Sequence, residues 1–227
     1  MDISNILWAL FGGLLPALLW LAFWLREDKK RPEPKGKIIL TFVLGMFATI
    51  AVLPLEGYIK DVVTNSTLLL IVLWSLSEEL FKYIAAFFAG LHTRANNEPI
   101  DAIIYMITAA LGFAAMENTL FLLTPLGDGA IVDAVITGHM RFIGATVLHI
   151  LASGTVGVFM AMSFYRRKMI KKEFVLGGLI LAIALHSVFN LLIIKNTSEN
   201  IFGIFLVVWL AVAILLVFFE KAKKLRP

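Results

Sequence analysis

The sequence predicts an all-α, polytopic membrane protein of about seven transmembrane helices, folded as one domain over residues 1–227. Two features of composition and one pattern predict it. Of the residues, 60% are hydrophobic and only 16% charged, against roughly 45–50% and about 25% in soluble domains. Mean hydropathy is +0.90. Apolar runs long enough to cross a ~30 Å hydrocarbon core recur along the whole chain. The net charge of +4 comes from Lys and Arg clustered in short segments between those runs, so it carries topology rather than a nucleic-acid footprint. The expected surroundings are a lipid bilayer, with no nucleic-acid partner. There is no cysteine, which excludes disulfide and thiolate chemistry.

The first span, about Asn5–Leu25, lacks a basic leader and an A-x-A cleavage site and is followed by a basic loop, so it reads as retained rather than as a signal peptide. The second is Ile38–Leu55. The third, Leu68–Ala89, has Gly90 placed as its C-cap, and the fourth, Ile100–Leu123, follows Pro99 at a first-turn position. The segment Pro125–Arg141 reads as a turn plus a short interfacial helix. Phe142–Phe164, Phe174–Ile194 and Ile201–Phe219 complete the set, each near the ~20 residues a span needs. Every loop is short, so any chemistry takes place in or beside the membrane.

Orientation follows from the basic residues. "REDKKRPEPKGK" holds six Lys/Arg, "YRRKMIKKE" five, the tail "KAKKLRP" four, and the loop with Arg94 one, while the intervening loops hold only Lys60, Arg141 and Lys195. The bias places the N-terminus outside and the C-terminus in the cytoplasm of a multi-pass protein of the cell membrane.

Against that apolar background, the polar residues inside spans stand out. They are Glu78, Glu79 and Lys82 in the third helix, Glu117 and Asn118 in the fourth, His149 in the fifth, and His186 with Asn190 in the sixth. An ionisable residue at such a depth is costly and points to function when it has partners. At ~1.5 Å per residue, Glu78 lies about 15 Å from the outer end of its span, Glu117 and His149 about 10 Å, and His186 about 12 Å. Helices running in alternating directions thus place these groups in one layer, in the outer half of the bilayer. Glu78 and Lys82 share a face at i,i+4, and so do His186 and Asn190, whereas Glu79 points about 100° away from Glu78. Simpler readings exist for each taken alone. Glu78, Glu79 and Lys82 could be an internal ion pair, Glu117–Asn118 interhelical glue, and His149 a packing residue. Arg141 either snorkels to the outer surface or stabilises a carboxylate at the mouth of the site. The small residues of "ASGTVG" (Ala152–Gly157) read as close helix packing.

Taken together, the layer admits two hydrolytic chemistries and one transport reading. A carboxylate could act as general base on water, with histidines stabilising an oxyanion. Alternatively, two His and one Glu could hold zinc while another Glu serves as base; the candidate ligands are His149, His186, Glu117 and Glu79. Chains of Glu and His also serve as proton or cation relays, although seven spans without paired broken helices do not divide into inverted repeats.

At these residues the sequence resembles the PrsW family of intramembrane proteases, and more distantly the Abi/CAAX-protease superfamily. The resemblance is carried by "EELFK" (Glu78–Lys82), "DAIIYMITAALGFAAMEN" (Asp101–Asn118), "HILASGTVGVFMA" (His149–Ala161) and "HSVFN" (His186–Asn190), in that order. It implies a site-1-type endopeptidase that cuts a single-span, anti-sigma-factor-like membrane protein near its extracytoplasmic side. It also implies catalytic roles for Glu78, Glu79, His149, His186 and Asn190, with Lys82, Glu117, Asn118 and Arg141 supporting them. Ala102 departs from an expected Gly. Lys82 stands one residue earlier than the superfamily Arg, so the prenyl-protein substrate is not carried over. The metal-free scheme is favoured, because Asn190 is a poor zinc ligand but a good hydrogen-bond donor. In that scheme Glu78 is the base, His149 the oxyanion donor, and His186 with Asn190 holds the water.

Overall fold

A computed structural model describes residues 2–28, 31–195 and 201–226, which form helices and connecting turns. In chain order these are α1 (Ile3–Glu27), α2 (Lys35–Val62), α3 (Thr67–Ala86), α4 (Pro99–Gly127), α5 (Ile131–Met140), α6 (Thr146–Met162), α7 (Lys168–Lys195) and α8 (Ile201–Ala222). Lys29 and Lys30 of the first basic cluster and residues 196–200 lie outside the described residues. Among the described residues the architecture is an all-α bundle of seven long helices, α5 being a short prelude to α6.

Six stretches are long and apolar enough to cross a membrane: α1, α2, α4, α5 running on into α6, α7 and α8. α3 has the length too, once the π-turn Phe87–Leu91 that extends it is included. It differs in carrying Glu78, Glu79 and Lys82, all of them buried inside the bundle.

The helix boundaries have local causes. α3 starts at Ser66, whose Oγ accepts from the Leu69 amide at 3.2 Å. α4 starts at Pro99 behind a capping box in which the Glu98 and Asp101 side chains hold each other's backbone amides. Two expectations need correction. Gly90 is not a helix cap but sits inside the π-turn, where a Cβ would fall 2.3 Å from the Tyr105 ring. Pro125 does not open the turn, because α4 continues through it to Gly127. A proline this near a C-terminus removes one hydrogen bond without ending the helix. The reversal comes at Gly129, whose φ of 72° suits a residue without a Cβ. From there α5 runs through the π-turn Arg141–Ala145 directly into α6, so the expected interfacial helix and the fifth span form one 32-residue rod.

α4 is the axis of the bundle, packed against α1, α2, α3 and α6. Every residue from Pro99 to Ala115 is buried, which explains why this stretch shows no polar face. The α2–α4 contact is backbone on backbone. A Cβ on Gly112 would lie 2.0 Å from the Phe42 carbonyl oxygen, and one on Gly45 would lie 2.2 Å from that of Ala109. The small residues of α6 do pack closely as expected, Gly157 lying against the backbone of Ile103.

One end of the bundle gathers the segments with the basic clusters. Lys223 of the tail reaches Glu27 at 3.1 Å, Arg31 reaches Glu98 at 3.7 Å, and Tyr105 donates to Glu33. Because the chain has no native cysteine, single-cysteine labelling tests the orientation cleanly. Asp128→Cys, exposed beside the turn at Gly129, should react with an impermeant maleimide added outside intact cells, and Lys172→Cys should react only after permeabilisation. The reverse pattern would invert the topology.

Candidate active site

Four helices bring their polar residues to one place. α3 supplies Glu78, Glu79 and Lys82; α4 supplies Glu117 and Asn118; α6 supplies His149; α7 supplies His186. The centre is Lys82, which is fully buried, with its ammonium 4.5 Å from the centroid of the Phe113 ring. Its Nζ lies 2.7 Å from Glu79 Oε1, 2.8 Å from His149 Nδ1 and 3.3 Å from Glu78 Oε2.

Glu79 has no free oxygen. Oε1 accepts from Lys82 and, at 2.9 Å, from His186 Nδ1, while Oε2 accepts from Ser153 Oγ at 2.8 Å. Through these bonds it links α3, α6 and α7. The divergence of Glu78 and Glu79 expected from their 100° separation is therefore present. Glu78 differs in the way that matters for chemistry: its Oε2 is buried and has no hydrogen-bond partner. Around that oxygen stand His186 Nε2 at 3.7 Å and His149 Nδ1 at 4.0 Å.

The partners set the histidine tautomers. In a neutral ring, a proton on the nitrogen that faces a carboxylate leaves the lone pair on the other, and the assignments below are those of the neutral rings. His149 donates from Nε2 to Glu117 Oε2 at 2.9 Å, so Nδ1 is an acceptor, and Lys82 fills it. His186 donates from Nδ1 to Glu79, so its Nε2 lone pair faces Glu78. Neither ring turns an N–H toward the centre, which leaves His149 nothing to donate to an oxyanion there.

On the side of the site away from Asp101, Glu117 Oε2 also accepts from Arg141 Nη2 at 2.5 Å. Arg141 Nε donates to Asn118 Oδ1 at 2.6 Å, and Asn118 Nδ2 donates to Thr146 Oγ1 at 3.0 Å. The guanidinium lies over the Phe121 ring, 3.9 Å from its centroid. Arg141 thus binds a carboxylate at the mouth of the site and does not snorkel. The π-turn that begins at Arg141 allows α5 and α6 to stay one rod while this side chain turns inward. The half-buried Asn190 side chain forms no hydrogen bond with the described residues, and the His186 ring is held by Glu79 instead.

The donor set fits a divalent metal. Glu78, His149 and His186 each offer one ligand atom within 4.8 Å of the others. Each imidazole has its far N–H on a carboxylate, which is how metal-binding histidines are oriented. Glu79 and Glu117, read from sequence as ligands, are those outer carboxylates. One feature opposes a metal ion: Lys82 already occupies the His149 lone pair.

Two residues of functional interest escaped the sequence reading. Ser153, which fixes Glu79, lies one helical turn after His149 on the same face, and that spacing was the available signal. Phe113, under the ammonium, had none beyond its position one turn before Glu117.

A second polar cluster lies at the other end of α4, where Asp28, Glu33, Asp101 and Tyr105 are all buried. Asp101 Oδ2 accepts the amides of Asn97 and Glu98 at 2.7 and 2.8 Å. Burial, and then the nearby Asp101 and Glu98 charges, push the Asp28 carboxyl up to about 7; burial also pushes Glu33 up. A raised carboxyl stabilises the fold below its ordinary value of 3.8, and that contribution is lost as pH rises through about 7. Asp28→Asn should therefore raise the melting temperature at pH 8 and raise it much less at pH 4.5, just above the ordinary value. Each kcal/mol gained should appear as roughly 2–4 °C in detergent. A lower melting temperature at pH 8 would show that a cation holds Asp28 ionised.

A family model described as "PrsW family intramembrane metalloprotease" matches residues 33–218. The chain is similar to a protein named Protease PrsW from Halalkalibacterium halodurans, with 27% identity over 85% of this chain and 86% of that one. Proteins of the same name from Geobacillus kaustophilus and Clostridioides difficile show 24% identity over 88% of this chain and 87% of theirs, and 26% over 80% and 77%. No solved structure gives a significant match.

Proposed function

From its membership of the PrsW family of intramembrane proteases, to which this chain belongs, we propose that it cleaves a single-span membrane protein in the outer half of the cell membrane, using water activated by Glu78. One observation carries this reading: Glu78 Oε2 is buried without a hydrogen-bond partner, beside the lone pair of His186 Nε2 and the Lys82 ammonium. A water placed there gives one hydrogen to Glu78 and the other to His186 Nε2, leaving its oxygen lone pairs free to face a peptide carbonyl. Glu78 takes the proton as the oxygen attacks, then returns it to the leaving amine, so that the two chain ends form as acid and amine. Lys82 is the donor nearest Glu78 and balances the oxyanion, the task the sequence reading gave to His149. Arg141 keeps Glu117 ionised against His149, which holds that ring in register. An anti-sigma-factor-like substrate matches both the outward position of the site and the family resemblance.

A second reading has its own observation, the triangle of Glu78, His149 and His186. These residues would hold zinc, which supplies a Lewis acid and lowers the pKa of its bound water towards ~7. The test is to reconstitute the purified chain in liposomes with a single-span substrate, with and without a chelator. Cleavage in the outer half of the substrate span that survives chelation supports water activated by Glu78 alone. Loss on chelation and recovery with zinc would transfer the role to the metal. Ion flux without cleavage would replace both with transport.

A further inference from the structure

Lys82 is more than a counter-ion to Glu79. The carboxylates of Glu78 and Glu79 pair with the Lys82 ammonium, and that of Glu117 pairs with the Arg141 guanidinium. Three acceptor atoms, Glu78 Oε2, His149 Nδ1 and His186 Nε2, face one another within 4.8 Å with no N–H of their own to share. Such a set takes a cation, and two cations are candidates: a divalent ion or the ammonium tethered beside it.

They cannot share the site as it stands. His149 Nδ1 has a single lone pair, and Lys82 Nζ uses it at 2.8 Å. A metal ion would need that lone pair at about 2.0–2.1 Å. The ammonium also lies 3.3 Å from Glu78 Oε2, a second corner of the same triangle. It has somewhere to retreat, because its shortest contact, 2.7 Å to Glu79 Oε1, lies outside the triangle. Rotation about the lysine stem can break the bond to His149 and keep that one.

We propose that Lys82 is a built-in competitor for the metal position, so that the pocket alternates between an ammonium-filled and a metal-filled state and metal affinity is set by displacement of Lys82 from His149 Nδ1. This rests on the active-site reading above and adds what decides the occupancy of that site. It also accounts for an otherwise odd arrangement, in which both histidines carry the carboxylate backing of metal ligands while a lysine is buried between them.

The test is a binding measurement. Co²⁺ affinity is read from its visible absorption, and Zn²⁺ affinity from competition with a chromogenic chelator, in detergent-solubilised protein. Lys82→Met removes the competitor but leaves Glu79 buried without its cation, so Glu79→Gln/Lys82→Met is measured beside it. The amide introduced by Glu79→Gln still offers an oxygen to His186 Nδ1, and the change removes the unpaired charge. Expected is metal binding at least about tenfold tighter in the double variant than in Glu79→Gln alone, which shares the lost carboxylate on His186, and lost when His149→Ala is added. Equal or weaker binding in a folded double variant overturns the proposal. So does the absence of metal binding in both proteins, and if wild-type cleavage then persists in chelator, the protease reading survives on its own. If instead the wild type cleaves nothing, with or without metal, yet the double variant binds Co²⁺ more tightly, the competition holds and the protease reading fails.

Discussion

Glu78→Gln should abolish cleavage of a single-span substrate while leaving the protein folded. The substitution keeps the shape of the side chain and removes only its ability to accept a proton from water. Loss of a positioned general base costs about 10²–10⁴ in rate. Folding should be nearly indifferent to it, because Glu78 Oε2 has no hydrogen-bond partner and the main cationic contact, Lys82 to Glu79, is untouched. Glu79→Gln makes the informative contrast. Glu79 accepts from Lys82, His186 and Ser153, so its loss breaks a buried pair and should cost stability, on the order of 3–5 kcal/mol. The measurements are initial cleavage rate in proteoliposomes and melting temperature in detergent for both variants. A Glu78→Gln protein that cleaves at the wild-type rate would remove Glu78 from the mechanism.

Gly112→Leu should be the most destabilising single substitution in the bundle. Space for even one extra carbon is missing, since a Cβ at this position would lie 2.0 Å from the Phe42 carbonyl oxygen. The obstacle is backbone, which cannot rotate away as a side chain does. Overpacking typically costs about 1–3 kcal/mol, and more where helices must separate. Gly45, facing Ala109 across the same seam, prevents α2 from shifting along α4 to relieve the clash. Gly57→Leu is the control, because a Cβ there meets nothing within 4 Å. The pair should differ sharply in yield of monodisperse protein and in melting temperature. Similar behaviour would mean that the α2–α4 seam is not as tight as described.

The parts of this architecture that the sequence displays are those governed by the bilayer and by helix periodicity. Hydropathy locates the long helices but misses their polar ends, since α2 runs on to Val62 and α7 already begins at Lys168, and Pro99 marks the start of α4 because a proline suits a first turn. The convergence of Glu78, Glu117, His149 and His186 was legible from depth alone, since each residue advances the helix by a fixed rise. The assignment of hydrogen-bond roles was not legible. Whether His149 donates or accepts depends on Glu117 and Lys82 arriving from two other helices, and periodicity within one helix says nothing about what faces it. The same gap hid the task of Glu79, whose partners come from α3, α6 and α7. The carboxyl cluster at the other end escaped for a different reason. Asp28 and Glu33 look like ordinary charges in a basic loop until the fold buries them against Asp101.

α4 carries a polar cluster near each end, with Asp101 and Tyr105 at one and Glu117 and Asn118 at the other. Sixteen residues from Asp101 to Glu117 span about 24 Å of helix, and from Pro99 to Ala115 that helix has no exposed side. Mechanically it is a spindle clamped along its length, which cannot slide or tilt without separating the seams with α2 and α6. On the proposed reading, any rearrangement that admits a substrate must therefore come from the helices around α4. The rod formed by α5 and α6 is one of these, its regular hydrogen-bond ladder interrupted at the π-turn that begins with Arg141, the partner of Glu117.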